Sequence, residues 1–322
     1  MQPDTHKDGP VKTSWSVVHR LSPEDSATVA VTRSAVAPLK GKLEGIAGRN
    51  SFNSIMERVT APEGVTFEAA AVGDISGWWA KPVRARKGVA ILHAHGGWFN
   101  WGTAQAFRNF VGHIALRAGA DAFIPEYRLA PEYPFPAAVN DIETCYRGLA
   151  HSGIRKIALS GDSAGGTLAL VLLSIASARS SRTAVAPIGA VLFSPVTDLA
   201  LSGESFETRA DADPYFTKSQ VAGLVSSYLG EINPRNPLAS PLYGDLYGLP
   251  PIRVHVGDDE VLLDDSRRYV ERAIVAGVDA RLDLWMGMSH GFVTGVDRYN
   301  AAKEALAAAG QFFADRLGGA AV

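Results

Sequence analysis

The sequence predicts an α/β fold with a mostly parallel, twisted sheet and helices on both of its faces. Strand-like and helix-like segments alternate from about residue 65 onward, which is typical of such a sheet. Several of the strand-like segments are continuously apolar, as strands buried on both faces are. The chain has 322 residues, 47% of them hydrophobic, and this is enough apolar material for one large core.

Two helices are predicted before the sheet begins. Residues 23–40 start with Pro-Glu-Asp, a helix-start pattern, and continue through alanines and valines. A second helical segment is expected over residues 51–59. We therefore predict an N-terminal arm and helical cap over residues 1–60, followed by one α/β domain over residues 61–322.

The alternating part begins with a hairpin, because strand-like residues 65–72 and 75–80 flank Gly73-Asp74, a turn dipeptide. Residues 203–250 are polar and rich in loops around one helix, and they are predicted to be an insertion that shapes a pocket. The further predicted strands are residues 88–93, 122–125, 157–160, 188–193, 252–256 and 280–285. The further predicted helices are residues 104–118, 136–150, 168–176, 217–229, 263–276 and 298–316.

Composition excludes several classes of partner. The net charge of −2 gives no electrostatic basis for binding nucleic acid or an anionic membrane. No apolar segment has the length of a membrane span, and the polar N-terminus lacks a signal core. The single cysteine, Cys145, cannot form an intrachain disulfide, and it is expected in the core. We therefore expect a cytoplasmic protein that binds neither nucleic acid nor membrane.

Residues 161–166, Gly-Asp-Ser-Ala-Gly-Gly, join an apolar strand to an apolar helix. A serine flanked by glycines in this position is typical of a nucleophile elbow, whose strained turn exposes the hydroxyl. A side chain at Gly161 or Gly165 is expected to collide with neighbouring backbone. The helix that follows directs its N-terminal N–H groups towards the charge that develops in acyl transfer. The alternative is an ordinary Gly/Ser-rich loop.

Other chemically active side chains also follow predicted strands. Three carboxylates, Asp258, Asp259 and Glu260, come after the strand at 252–256, and His290 comes after the strand at 280–285. The carboxyl ends of parallel strands meet at one edge of a sheet, where ligands bind. A serine, then an acid, then a histidine is the chain order of the α/β-hydrolase triad.

Five motifs in this order resemble those of the hormone-sensitive-lipase-like family of bacterial α/β-hydrolase esterases. The resemblance covers roughly residues 60–310, and the N-terminal helices resemble that family's cap more loosely. The motifs are His-Gly-Gly-Trp at 95–98, Tyr-Arg-Leu-Ala-Pro-Glu at 127–132, Gly-Asp-Ser-Ala-Gly-Gly at 161–166, Glu-Val-Leu at 260–262 and His-Gly-Phe at 290–292.

The resemblance implies a role for each triad residue. Ser163 is the nucleophile, His290 is the base that takes its proton, and the acid orients the imidazole. The family register places the acid at Glu260, where aspartate is usual. Asp258 and Asp259 are the alternatives.

The same resemblance implies an oxyanion hole formed by the backbone N–H groups of Gly96, Gly97 and Ala164. The chain departs from the family at Trp98, which stands where a third glycine is usual. Its indole either narrows the acyl side of the pocket or lies in the core.

Other aromatic and polar residues complete these expectations. Arg128 and Glu132 are expected to form a buried network behind the site. His93 and His95 form a His-x-His pair, but no metal site is predicted because no further ligand is evident. Candidate pocket residues, which are equally compatible with plain core packing, are Trp98, Phe99, Trp101 and Phe292.

The resemblance thus implies a carboxylic-ester hydrolase that cleaves short- to medium-chain acyl esters through an acyl-enzyme. It implies no metal or organic cofactor, and it is compatible with a homodimer. A hydrolase of amides, carbamates or lactones would use the same triad. A more remote alternative is a non-catalytic ligand-binding protein on the same scaffold.

Overall fold

The computed structural model describes residues 11–12, 14–178 and 185–318. Its centre is a ten-stranded mixed sheet, numbered here in chain order. The strands are β1 (Val11–Lys12), β2 (Ser16–His19), β3 (Val65–Val72), β4 (Ile75–Pro82), β5 (Val89–Ala94), β6 (Asp121–Pro125), β7 (Lys156–Asp162), β8 (Pro187–Phe193), β9 (Ile252–Gly257) and β10 (Ala280–Trp285).

The spatial order of the strands is β1-β2-β10-β9-β8-β7-β5-β6-β4-β3. From β2 to β6 every neighbouring pair is parallel. The antiparallel pairs lie at the two ends of the sheet. The carboxyl ends of β5, β7, β8, β9 and β10 therefore share one edge, and the loops that follow them carry the candidate site residues.

Helices connect the strands and cover the sheet. They are α1 (Pro23–Val36), α2 (Gly48–Met56), α3 (Ala104–Ala118), α4 (Ala137–His151), α5 (Ala164–Ser177), α6 (Ser205–Thr208), α7 (Lys218–Leu229), α8 (Leu263–Val275) and α9 (Asn300–Leu317). Short 3₁₀ turns occur at Ala37–Leu39, Pro241–Tyr243 and Phe292–Thr294. In the described part of the chain, no helix is both long and apolar enough to cross a membrane.

The two faces of the sheet bury two separate cores. Neighbouring residues on β5 show the alternation, because Ile91 packs with α3 and α9, whereas Leu92 packs with α4 and α5. All six residues of β5 are buried, so its continuous apolar pattern reflects burial on both faces. The predicted α/β-hydrolase fold, with helices on both faces of a mostly parallel sheet, is confirmed.

The first strands of the sheet were not expected from the sequence. Strand β2 pairs in parallel with β10, and His19 stacks on Trp285 with ring centroids 3.7 Å apart. The four residues of β2 are too few for a periodic pattern, so their sequence carries little signal. Residues 1–10 of the predicted arm lie outside the described residues. The division of the chain at residue 60 stays a prediction.

Cys145 lies on the buried face of α4 and packs in the core, as expected. Burial raises the pKa of its thiol to about 12, so the thiolate is disfavoured. The side chain therefore acts as apolar filling.

Candidate active site

The turn at Ser163 joins β7 to α5. The serine takes φ 54° and ψ −124°, a strained conformation for a residue with a side chain. Its N–H donates to the carbonyl oxygen of Phe193 at 2.8 Å, which anchors the turn to β8. Helix α5 begins at the next residue, so its positive end lies beside the serine.

The glycines of this turn are required by space. A Cβ on Gly161 would lie 2.3 Å from the carbonyl oxygen of Gly165. A Cβ on Gly165 would lie 2.0 Å from the carbonyl oxygen of Ala94 on β5. Both contacts are far inside van der Waals distance, as the sequence pattern predicts, so the elbow packs backbone directly on backbone.

His290 and Glu260 meet at the same sheet edge, on the loops after β10 and β9. Nδ1 of His290 lies 2.6 Å from Oε2 of Glu260. The other carboxylate oxygen accepts hydrogen bonds from the Ser194 hydroxyl and the Gly257 N–H, both at 2.7 Å. Glu260 is fully buried, and these three contacts occupy both of its oxygens.

The other two carboxylates of this turn are engaged elsewhere. Asp258 accepts a hydrogen bond from the backbone N–H of Gly287, in the loop that carries His290. Asp259 pairs with Arg33 of α1. Of the three carboxylates considered for the acid, Glu260 therefore contacts His290 in this structure.

The surroundings of His290 favour its charged form. Burial lowers the pKa of the imidazole, but the hydrogen bond and charge of Glu260 raise it, and so do the charges of Asp213 and Asp162. The net result is a pKa above the ordinary value. Such a site stabilises the imidazolium that forms when a histidine takes a proton from a nucleophile.

The predicted oxyanion donors differ in their bonding. The N–H of Gly96 donates to Oδ1 of Asp162 at 3.1 Å. The N–H groups of Gly97 and Ala164 donate no hydrogen bond to the described part of the chain. Gly96 also lies against the serine, since a Cβ built on it would be 3.1 Å from Cβ of Ser163. A role for these three N–H groups in an oxyanion hole stays a prediction.

Trp98 occupies the position of the third glycine. It takes φ 52°, in the left-handed region that favours glycine. Its side chain is 1% exposed, and its ring meets the edge of Phe216 at a centroid distance of 5.5 Å. Phe216 in turn meets the ring of His290 at 5.2 Å. An aromatic row therefore runs from the glycine loop to the histidine.

The other candidate pocket aromatics are buried in separate places. Phe99 stacks on Tyr228 at 3.9 Å. The indole of Trp101 donates to the carbonyl oxygen of Gly45, before α2, at 2.7 Å. Phe292 packs on Trp285 in the core beneath α9. A role for these three side chains in a pocket wall stays a prediction.

His93 at the end of β5 and His95 in the loop after it are buried and make structural contacts. His93 contacts the Ser160 hydroxyl and Asp162, both at 3.1 Å. His95 is stacked on Tyr127, and burial lowers its pKa to about 4. Among residues 11–12, 14–178 and 185–318, no group of three or more His, Cys, Asp or Glu side chains could hold a metal ion.

The expected network between Arg128 and Glu132 is wrong. Arg128 pairs with Asp141 of α4 at 2.7 Å, whereas Glu132 pairs with Arg49 of α2 at 2.6 Å. Both pairs tie this loop to a helix rather than to itself. The partner in each case is decided by the tertiary fold, which brings distant residues to the loop.

Three residues near the site were missed by sequence reasoning. They are Ser194, which donates to Glu260, and Asp213 and Phe216 of the 203–250 insertion, which face His290. Ser194 follows β8 at the active edge, so its position relative to the strand is a usable signal. The other two lie in an irregular loop, where no periodic pattern marks them.

A strained serine between strand and helix, at the same sheet edge as a histidine–carboxylate pair, defines the class of α/β-hydrolases. The model of the alpha/beta hydrolase fold family matches residues 91–294. An acetyl-hydrolase of Streptomyces hygroscopicus is 37% identical over 225 residues, 69% of this chain and 74% of that protein. An esterase of Acinetobacter venetianus is 37% identical over 226 residues, 69% of this chain and 73% of that protein.

Solved structures give the same result. A crystal structure of an esterase from the bacterial hormone-sensitive lipase family is 35% identical, with a TM-score of 0.84. The match covers 92% of this chain and 99% of that one. The chain belongs to the α/β-hydrolase fold family and, within it, to the hormone-sensitive-lipase-like esterases, which confirms the predicted family and enzyme class. The cytoplasmic location and the homodimer stay predictions.

Proposed function

We propose that this chain hydrolyses carboxylic esters with short to medium acyl chains, with Ser163 as nucleophile, His290 as base and Glu260 as the orienting acid. The observation that supports this most strongly is the 2.6 Å contact between His290 and the buried Glu260. It lies at the sheet edge where the elbow serine also stands.

In acylation, the Ser163 hydroxyl attacks the ester carbonyl while Nε2 of His290 takes its proton. The oxygen that becomes negative is received by the N–H groups of Gly97 and Ala164, at the positive end of α5. Collapse of this intermediate breaks the bond to the alcohol oxygen. The imidazolium gives its proton to the departing alcohol, and the acyl group stays on Ser163.

In deacylation, a water molecule attacks the acyl-enzyme carbonyl and His290 takes the proton from that water. The second intermediate collapses to release the carboxylic acid, and the proton returns to the serine oxygen. Glu260 keeps Nδ1 protonated throughout, so Nε2 is the nitrogen that exchanges protons.

The contacts of Glu260 suit this task. The Ser194 hydroxyl and Gly257 N–H fix one carboxylate oxygen, so the other remains directed at His290. A glutamate has one more methylene than the aspartate usual in the family. These two hydrogen bonds hold the longer side chain in one position.

The preference for shorter acyl chains is supported by the aromatic row beside the base. Trp98 puts an indole where the family has glycine, and this indole packs against Phe216. The bulk lies close to the glycine loop that receives the carbonyl oxygen. The relative named acetyl-hydrolase supports a small acyl group.

A panel of p-nitrophenyl esters from acetate to dodecanoate tests the proposal, with p-nitroacetanilide and a lactone as amide and lactone probes. We expect hydrolysis of the esters with a maximum at short to medium chains and complete loss in Ser163→Ala. Glu260→Gln should lose far more activity than Asp258→Asn. Activity that survives Ser163→Ala would refute the proposal, and a preference for the anilide or lactone would replace the substrate class.

A further inference from the structure

Asp213 is a buried carboxylate in the 203–250 insertion that the esterase mechanism above does not use. It lies between α6 and α7 and is 0% exposed. One carboxylate oxygen accepts the N–H groups of Tyr215 and Phe216, at 2.8 and 3.0 Å. The other accepts the N–H of Val261 at 2.9 Å. Burying a charge is costly unless it is paired and hydrogen-bonded, and these three hydrogen bonds to Asp213 all come from backbone N–H groups.

These hydrogen bonds link two parts of the candidate site. Val261 directly follows Glu260, so one bond reaches the turn that holds the orienting acid. The hydrogen bond from the Phe216 N–H holds the backbone of Phe216 in place. The Phe216 ring packs on the His290 ring with centroids 5.2 Å apart. Asp213 thus connects the acid turn to the ring that packs on the imidazole.

The charge of Asp213 also acts on the histidine. The charged groups that act on His290 from the surrounding elements are Glu260, Asp213 and Asp162, and each raises its pKa. Burial raises the pKa of Asp213 itself, while its backbone donors and the charge of His290 lower it. The two groups therefore favour each other's charged form.

We propose that Asp213 is a positioning residue for His290, which seats Phe216 against the imidazole and supplies a second negative charge beside Glu260. This inference rests on the proposed function, because it assigns a task in proton transfer by His290. It adds a contribution from the insertion, in which no catalytic residue was expected. The carboxylate itself does not contact the substrate.

Asp213→Asn tests the charge with little change of shape. We expect kcat/KM for p-nitrophenyl acetate to fall at least about tenfold, since small displacements of a catalytic group are costly. We also expect the acidic limb of the kcat/KM profile to move to lower pH by about half a unit, because His290 loses a negative neighbour. Asp211→Asn is the matched control, since Asp211 is an exposed carboxylate of the same loop. It should match the wild type in both quantities.

Phe216→Leu separately tests the packing of the Phe216 ring on the imidazole. This variant removes the ring and keeps the carboxylate, so kcat/KM should fall several-fold while the acidic limb stays at its wild-type pH. The folded fraction of every variant is counted by titration with a fluorophosphonate, and rates are expressed per labelled site. If Asp213→Asn yields no folded protein, Phe216→Leu decides, and an unchanged kcat/KM there would overturn the inference.

The outcomes separate this inference from the proposed function. Loss of ester hydrolysis in Ser163→Ala with wild-type behaviour of Asp213→Asn would overturn the role of Asp213 alone. If kcat/KM fell in Asp213→Asn while the acidic limb stayed in place, Asp213 would be merely structural. That result would also overturn the inference. Absence of ester hydrolysis in the wild type would remove the proposed function itself.

Discussion

Nδ1 of His290 lies 2.6 Å from Oε2 of Glu260, and the carboxylate is fully buried. The donor and acceptor come from loops after neighbouring parallel strands, so the sheet itself sets their separation. The Ser194 hydroxyl after β8 adds a third strand end to the same cluster. The carboxylate is thus held from three adjacent strands, and the geometry does not depend on one flexible loop.

Glu260→Gln should lower kcat for p-nitrophenyl butyrate about a thousandfold to ten-thousandfold, the scale seen when the orienting acid of a triad becomes an amide. The amide keeps the volume but no longer fixes the tautomer of His290. The comparison is Asp258→Asn, which should lose less than about tenfold because the Asp258 carboxylate accepts from the Gly287 N–H, whereas Glu260 bonds to His290. Equal losses in the two variants would contradict the assignment of the acid.

The pH profile should reflect the raised pKa of His290. The imidazole must be neutral to accept the serine proton, so kcat/KM falls as the pH drops through this pKa. The acidic limb should therefore lie above the ordinary histidine value, and removing the charge in Glu260→Gln should move it lower. Profiles of log kcat/KM against pH for an uncharged ester measure both positions. A limb below the ordinary value in the wild type would count against the geometry.

Asp265 should make stability depend on pH. Burial raises its pKa to about 7, while its hydrogen bonds from the N–H groups of Thr197 and Asp198 lower it. The folded chain thus binds the proton of the Asp265 carboxyl more tightly than the unfolded chain does. The stabilisation of the fold by this protonation is complete at low pH. It is lost as the pH rises through about 4 to about 7.

Asp265→Asn keeps the acceptor oxygen and removes the titration. The free energy of unfolding of the variant should therefore gain on the wild type as pH rises, by up to about 4 kcal/mol. Urea unfolding of both proteins across the acid-to-neutral range measures this difference. A difference that is constant with pH would contradict the raised pKa.

Gly161→Ala should strongly destabilise the chain, because the new Cβ would lie 2.3 Å from the carbonyl oxygen of Gly165. We expect a loss of about 3 kcal/mol or more in the free energy of unfolding. Gly223→Ala is the control, since nothing lies within 4 Å of its added Cβ on α7. Alanine there should stabilise by up to about 1 kcal/mol. Thermal unfolding of the pair checks both, and a tolerated Gly161→Ala would refute the backbone contact.

Trp98→Gly should shift the acyl preference towards longer chains. Glycine restores the family residue and suits the φ of 52°, but it removes a buried indole. The ratio of kcat/KM for the octanoate and acetate esters should rise, at a stability cost of about 3–5 kcal/mol. The control is Trp79→Phe on β4, next to the end strand β3 of the sheet, which should leave the ratio unchanged. An unchanged ratio in Trp98→Gly would show that this indole does not limit the acyl chain.

The elements of the sheet could be predicted because buried parallel strands are continuously apolar and alternate with amphipathic helices. The helix predicted at 104–118 is α3 (Ala104–Ala118), with the predicted bounds. Thr103 caps its N-terminus and Gly119 ends it. The turn at Ser163 was predictable because its glycines are demanded by space. Such signals are local, and local signals are what a sequence carries most directly.

Long-range pairings could not be predicted in the same way. The partner of Arg128 is Asp141 rather than Glu132, because the fold places the N-terminal half of α4 beside that loop. Strand β2 forms by pairing with β10, a strand more than 250 residues away in the sequence, so its own four residues do not predict it. Asp213 and Phe216 reach His290 through an irregular insertion, where sequence position does not indicate direction.

Covalent labelling of the nucleophile tests the central claim most directly, because a fluorophosphonate transfers its phosphonyl group to an activated serine and releases fluoride. The wild type, Ser163→Ala and Glu260→Gln are each treated with a fluorophosphonate, and intact-mass and peptide mass spectrometry locate the adduct. We predict one adduct per chain, on Ser163, with loss of ester hydrolysis in proportion to labelling, slower labelling in Glu260→Gln, and none in Ser163→Ala. An adduct on another residue, or ester hydrolysis by the Ser163→Ala variant, would contradict the account.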